Sequence, residues 1–449
     1  MSEVLRNHAR RIWHAAVESV RPETLVQRAL SDLDKALHDS GRILVLGGGK
    51  AGAAMAEALE RFLADRLDRV EGIVNVPAEA VKSLKKIRLN AARPAGTNFP
   101  TAAGVAGAEA MLRLARSAGP NDLALCLLSG GGSALLPAPA EGVSLADKLA
   151  VTKLLHHCGA TINEMNAVRK HLSAIKGGRL AQAFAGKAID SFIISDVIGD
   201  PLDVIASGPT APDPTTFADA LGVLERYHLR DQSPPAVLAH LQKGAAGRIP
   251  ETPKSMPAHV HNHILGSNVK ALAGAQECAE HLGYRVLNLG SCIEGETRHI
   301  ATMHAGIVSS ICAQGVPFDP PACLLSGGET TVALTSNHGK GGRNQEFVLA
   351  ALLKLGMTPN VAILSGGTDG EDGPTDAAGA IADASTLERA AALGLDGRAF
   401  LRRNDAYSFF QETGDLLITG LTQTNVMDVR VMLIGDGPSH HSSPADGSR

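Results

Sequence analysis

The sequence predicts an α/β protein made of two α/β domains with mostly parallel sheets, the N-terminal one Rossmann-like. Three observations carry that prediction. First, four short apolar runs each end in a glycine-rich turn. Ile43 to Leu46 precede Gly47, Gly48 and Gly49, and Leu123 to Leu128 precede Ser129, Gly130, Gly131 and Gly132. Ala322 to Leu325 precede Ser326, Gly327 and Gly328, and Val361 to Leu364 precede Ser365, Gly366 and Gly367. Unbroken apolar runs of this length read as strands buried on both faces. Second, helix-patterned stretches alternate with the strands, as in βαβ units. Third, 449 residues exceed one ordinary core.

Taken in order, residues 1 to about 40 read as helical, with Ile12, Ala15, Ala16 and Val20 as a buried stripe. Gly41 breaks the chain before the first strand. Ala51 to Leu63 is a helix with Met55, Leu59 and Phe62 at helical spacing, and Gly72 to Val76 is a strand stopped by Pro77. Arg93 to Thr101 is a loop, followed by an Ala-rich helix to Ser117. After Pro139 the texture is helical. Ser144 caps a helix to Leu155 with Asp147 in its first turn, and Ile162 to Ala185 follows. Ser191 to Ser195 is a strand leading into Asp196. Pro234, Pro235, Pro250, Pro253 and Pro257 gather beside Gly244 and Gly247, which suggests domains over 1–255 and 256–437. Strands follow at His259 to Leu265 and Arg285 to Leu289. Residues 438–449 are polar and read as a disordered tail.

Composition excludes several function classes. Aromatic residues make up 3% against 48 glycines, which suits a nucleotide- or phosphate-handling α/β enzyme better than an aromatic-anchored interaction protein. A net charge of −4 argues against a nucleic-acid-coating surface. No apolar run is long enough to span a bilayer, and the charged N-terminus lacks a signal-peptide core. The six cysteines form no C-x-x-C pair and read as core thiols, so the expected compartment is cytoplasmic.

Glycine turns let backbone N–H groups approach a ligand, and in open α/β sheets ligands sit beyond the carboxyl ends of strands. Gly48, Gly49, Ser129 to Gly132, Ser133, Ser326, Gly327 and Gly328 are therefore candidate binding residues. Lys50 places an ammonium inside the first turn, where it suits a phosphoryl or carboxylate group. Gly47, Gly49 and Gly52 also have dinucleotide-fingerprint spacing, yet the only acid after the next strand is Glu79, beyond Pro77. The P-loop pattern is absent from the sequence. Gly339 to Glu346 carries Lys340 and Arg343 on a glycine loop, with Asn344 and Glu346 opening an apolar helix. A guanidinium there can grip two oxygens of a polyanion. Asp196, Asp200, Asp203, Glu329, Asp369, Glu371, Asp372 and Asp376 supply carboxylates. Phosphoryl transfer needs Mg²⁺ held by one or two of them, and Asp196 and Asp369 are the best placed. Arg169, Lys170, His171 and Lys176 form a basic stretch that faces either phosphate or solvent. His259, His261 and His263 alternate along a strand; three imidazoles on one face are a zinc-type ligand set, but no carboxylate or fourth ligand completes it, and a polar strand face is the better reading.

Together these motifs resemble the glycerate 2-kinase family, whose C-terminal half is called the MOFRL domain. The matching stretches include Gly47 to Ala51, Leu128 to Leu136, Asn166 to Leu180, Ser195 to Asp200, Ser207 to Thr210, Gly266-Ser267-Asn268, Ser326 to Thr331, Gly341 to Glu346 and Ser365 to Thr375. The resemblance implies two α/β domains, the second MOFRL-type, with an active-site cleft between them. It implies ATP- and Mg²⁺-dependent phosphorylation of D-glycerate to 2-phosphoglycerate. Apart from the resemblance, the expected assembly is a monomer or homodimer. Lys50 and Arg343 fall on its proposed catalytic positions, and the aspartate of its Ser-Asp-Val-x-Gly-Asp stretch falls on Asp196, a further catalytic candidate. Lys176, Ser267, Asn268, Glu329 and Asp369, candidate binding residues, lie in the matching stretches. Arg93 stands where the family has histidine in a Gly-His-Pro segment. Leu421 and Gln423 interrupt a Gly-Pro-Thr-Gly-Thr-Asn pattern. These departures leave a related hydroxy acid open as acceptor. Two alternatives remain: an NAD(P)H-dependent hydroxypyruvate reductase, a label relatives often carry, and a non-catalytic ligand-sensing protein.

Overall fold

The structure, a computed structural model, describes residues 2–94, 97 and 99–436; the expected tail over 438–449 lies outside them. The first compact unit comprises Val20–Ser267 with Gln423–Val426. Its sheet contains β1 (Ile43–Gly48), β2 (Val70–Pro77), β3 (Ile87–Arg93), β4 (Leu123–Ser129), β5 (Ala188–Ile194) and β6 (Val260–Gly266). The spatial order is β3-β2-β1-β4-β5-β6, with every pairing parallel. This is the doubly wound dinucleotide-fold order, with its topological switch point between β1 and β4. β1 and β4 are buried along their whole length, as their unbroken apolar runs require. β3 was not foreseen: its Arg-Leu-Asn-Ala-Ala-Arg texture lacks the apolar run of its neighbours.

A second core in this unit is helical. Val151, Leu155, Val168, Phe217, Leu224, Val237 and Leu241 pack together from Leu145–His157, Ile162–His171, Phe217–Arg226 and Pro235–Ala245. Ser144 caps the first of these helices, and the Asp147 side chain returns the bond to the Ser144 backbone.

The other unit comprises residues 2–19, 268–422 and 427–436 among those described. Its sheet contains β7 (Arg285–Asn288), β8 (Ala322–Gly328), β9 (Val361–Gly367), β10 (Gly379–Asp383), β11 (Leu416–Leu417) and β12 (Asp428–Ile434), in the order β11-β10-β9-β12-β8-β7. β7, β8, β9 and β11 share one direction. β12 runs against both β8 and β9, and β10 runs against β9 and β11. The common direction agrees with the expected α/β class; the two reversed strands had no signature in the spacing of helices.

The chain divides elsewhere than its prolines suggest. β6 follows them and still pairs with β5, so the first unit extends to Ser267. The proline-rich stretch instead contains the helix Pro235–Ala245, whose Val237 and Leu241 belong to the helical core. The helix Ser2–Ser19 joins the C-terminal unit, where buried Trp13 donates to the Gly366 carbonyl at 3.1 Å. All six cysteines are free; Cys126 and Cys323 are buried as expected, whereas Cys292 and Cys312 are exposed. No helix among the described residues is long and apolar enough to cross a membrane.

Candidate active site

At the switch point of the first sheet, the ends of β1 and β4 lie against each other. The Lys50 amide donates to the Gly130 carbonyl at 2.8 Å, and the Ala51 amide donates to Ser129 Oγ at 3.0 Å. Gly49 lets Ser129 approach so closely that a Cβ there would overlap the Ser129 side chain. Gly131 has a left-handed φ of 75° and lies beside the side chains of Lys50 and Arg93. Beyond β5, Asp196 brings its carboxylate over Gly130 and accepts from Asn425 Nδ2 at 3.4 Å. Gly48, Gly49, Lys50, Ser129 to Ser133 and Asp196 thus form one group. Ser267 is buried just past the end of β6.

Ser133 links this turn to the helical core. Its Oγ accepts from Arg169 Nη2 at 2.5 Å and pairs with Ser207 Oγ at 2.9 Å. Lys176 Nζ donates to the Ser133 carbonyl at 2.9 Å and the Ala206 carbonyl at 3.2 Å, fixing the turn from beneath. The basic stretch therefore splits. Lys170 bonds to Asp203 and Asp213 at 3.0 Å each, and His171 Nε2 lies 2.8 Å from Glu251 Oε1. Those two side chains are taken up by structural pairs with carboxylates, whereas Arg169 and Lys176 reach the turn.

In the C-terminal unit, register explains the other two Ser-Gly-Gly turns. Asp428, the first residue of β12, pairs opposite Gly328 of β8 and Gly367 of β9. Its buried carboxylate takes both edges of a fork from Arg343, Nε at 2.7 Å and Nη2 at 3.0 Å, together with Asn344 Nδ2 at 2.9 Å. Arg343 Nη1 lies 3.0 Å from half-exposed Glu329. These carboxylates hold the guanidinium firmly charged despite its burial. Arg343 begins the helix Arg343–Leu355 and is clamped by its fork rather than carried on an open loop. Asp372 accepts from the amides of Asn344 and Gln345 at 3.0 and 2.9 Å, satisfying the start of that helix. Burial, aided by Asp428, pushes Asp372 up to about 7. Asn268 donates to the Asp428 carbonyl at 2.9 Å and lies against Gly327, and His304 Nε2 lies 2.8 Å from Ser326 Oγ.

Glu346 is turned to other work: it accepts from Arg298 Nε at 2.7 Å and Asn404 Nδ2 at 3.1 Å. Asp369 Oδ1 accepts from the Glu371 amide at 3.2 Å. Among the described residues no group of three or more His, Cys, Asp and Glu side chains is placed to hold a metal. His263 instead pairs with Asp190 at 2.8 Å, consistent with a polar strand face.

A family model described as a domain of unknown function, DUF4147, matches residues 8–242, and the MOFRL family model matches 322–428. Glycerate 2-kinase of Pyrococcus horikoshii is 38% identical over 437 residues, covering 96% of this chain and 97% of that protein. The chain belongs to the glycerate kinase family. Human glycerate kinase is 37% identical over 496 residues, covering 96% of this chain and 94% of that protein. The crystal structure of glycerate kinase from Thermotoga maritima matches with a TM-score of 0.86 at 36% identity, covering 96% of this chain and all of that one. A relative from Agrobacterium vitis, 41% identical over 431 residues (96% of this chain, 94% of that protein), bears the name hydroxypyruvate reductase provisionally.

Within this family framework, the departing residues acquire positions. Arg93 is buried beside Gly131 in the β4 turn, which Lys50 of the β1 turn also approaches. Gln423 keeps a left-handed φ of 64° where the family pattern has glycine, while Leu421 is exposed. Asn425 ends the interrupted pattern, but nothing local shows that it returns to Asp196, and Asp428 has no local signal that it threads between β8 and β9. Lys148 escaped the sequence reading. Its signal was a lysine on the buried face of its helix, three residues before Val151 and seven before Leu155.

Proposed function

We propose that this protein phosphorylates D-glycerate at the expense of ATP, giving 2-phosphoglycerate. The observation that carries the reading is the convergence of Lys50, two glycine turns and Asp196 at the switch point of a doubly wound sheet. Full-length similarity to proteins named glycerate kinase supports it. Lys50 and Arg93 are the proposed cations for the acceptor carboxylate and the transferred phosphoryl group. Asp196 is the proposed carboxylate that orients or deprotonates the acceptor hydroxyl. Arg343, in the C-terminal unit, is a further residue proposed to bind a phosphoryl oxygen. Asp428 holds one edge of its guanidinium, and Glu329 occupies the Nη1 that a phosphoryl oxygen would take over.

Magnesium is proposed to arrive with the nucleotide, supplying charge neutralisation on the phosphates. Mg²⁺ typically keeps substrate oxygens and only one or two carboxylates, so Asp196 at the turn is the proposed ligand and a three-carboxylate cage is not needed. The reductase alternative is weaker on physical grounds. The close approach that a dinucleotide fingerprint reserves for pyrophosphate is filled at Gly49 by Ser129, and Glu79 is exposed in the turn after β2.

The test is ADP release with D-glycerate beside NADH oxidation with hydroxypyruvate. Glycerate-dependent ADP release should appear, and Lys50→Ala should lower kcat roughly 10²-fold or more without lowering Tm. Turnover of NADH alone would replace the kinase reading with the reductase one.

A further inference from the structure

A cavity of about 580 Å³ lies within the first unit, between the Ser129 to Ser133 turn and the helix Leu145–His157. Lys148, Arg169 and Lys176 line it, and among the described residues lining it none is acidic. Lys148 is more than nine-tenths buried, and its Nζ has no hydrogen-bond partner among the described residues. Arg169 and Lys176 meet at Ser133, so the cationic wall adjoins the turn. Leu145, Leu149 and Pro137 supply an apolar wall, and Phe99 adds a largely exposed ring.

Three desolvated cations without a counter-charge are costly to keep together. Burial, reinforced by Arg169, pulls the Lys148 ammonium down to about 7, and the same causes with Lys148 pull Lys176 well below its usual range. An anion of several charges offsets that cost; a single carboxylate answers only one of the three. The volume lies in the range of pockets that take nucleotide-sized ligands and greatly exceeds what a three-carbon acid fills. The apolar wall suits a flat heterocycle, for which glycerate has no counterpart.

We infer that this cavity takes the nucleoside triphosphate, with its phosphates on Lys148, Arg169 and Lys176 and its base along Leu145 and Leu149. The inference rests on the kinase reading for its choice of ligand. It places the phosphate chain next to Ser133, two residues from Gly131 and hence near Lys50.

The experiment is calorimetric titration of the full chain with ATP, pyrophosphate and D-glycerate separately, for wild type, Lys148→Met and Leu149→Glu. Lys148→Met removes an unpartnered buried charge, so it should fold at least as well as wild type. Leu149→Glu puts a carboxylate on a half-buried position of the wall and serves as the independent check. ATP should bind at least tenfold more weakly to each variant, since hydrogen bonds to charged groups are worth a factor of ten or more. The glycerate Kd should stay within twofold, and pyrophosphate should bind wild type more weakly than ATP does. An unchanged ATP Kd in both variants, or a rise confined to glycerate, overturns the assignment. Equal affinity for pyrophosphate and ATP overturns the placement of the base. ATP binding without any phosphoryl transfer to glycerate would sink the kinase reading and leave this site standing.

Discussion

Gly130→Ala isolates the role of Asp196. A methyl group built at residue 130 lies 2.7 Å from Asp196 Cγ, closer still to its Oδ2, and 3.2 Å from Asn425 Nδ2, whereas ordinary contact begins near 3.4 Å. The carboxylate must therefore swing by about 1 Å, carrying its bond to Asn425 with it. The backbone gives no second cause of damage, because Gly130 is absent from the left-handed residues. Displacing a catalytic group by about 1 Å costs on the order of 10²-fold in rate, close to 2.7 kcal/mol of barrier. Moving one carboxylate at the mouth of a sheet costs the fold about 1 kcal/mol, a Tm shift of roughly 2–4 °C for a unit of this size. The assay is kcat by coupled ADP release, arranged as a double-mutant cycle with Asp196→Asn. If Gly130→Ala acts through Asp196, adding it to Asp196→Asn should cost less than about threefold more. Wild-type kcat in Gly130→Ala, or losses that multiply in full across the cycle, would refute the reasoning.

Two further perturbations probe the C-terminal unit. Arg343→Lys keeps the charge but loses the fork on buried Asp428; it should lower stability by about 1–3 kcal/mol in denaturant melts and lower kcat well below wild type at a temperature where the variant is folded. Asp372 has its folded pKa raised from 3.8 to about 7, so between those values the native state binds more protons than the unfolded chain and stability falls as pH rises. Below about pH 4 its contribution is complete, and above about 7 it is gone; the full span is at most about 4 kcal/mol. Asp372→Asn should flatten the stability profile between about pH 4 and 7, and an unchanged slope would remove Asp372 as its source.

The N-terminal site was legible because its parts are local. A buried strand, a glycine turn and a lysine follow one another in sequence at Ile43 to Lys50, and the β4 turn repeats the form. What was not legible depends on pairings far along the chain. The helix Ser2–Ser19 has a generic apolar stripe, and no spacing tells that Trp13 will donate to Gly366. β12 reads as one more apolar run, yet its insertion between β8 and β9 sets Asp428 beside both remaining glycine turns. Lys148 was visible in principle, as a cation on a face otherwise made of Val151 and Leu155, but its meaning required the cavity it lines.

The repeated Ser-Gly-Gly motif invites the inference that every copy does the same thing, and the geometry argues otherwise. At β4, the glycines bring Lys50, Arg93 and Asp196 around a turn whose next residue, Ser133, borders the cationic cavity. At β8 and β9, the close approach is taken by side chains of the protein itself. Asn268 fills the space over Gly327, and Asp428 enters opposite Gly328 and Gly367 to fix Arg343. Missing side chains thus serve two ends: an approach for ligand in one unit, and room for a buried carboxylate that aims a guanidinium in the other. Substitutions at the two kinds of turn should accordingly fail differently. Those at β4 should raise Kd or lower kcat on a stable fold, whereas those at β8 should first release Asn268, loosen the Arg343 clamp and lower Tm.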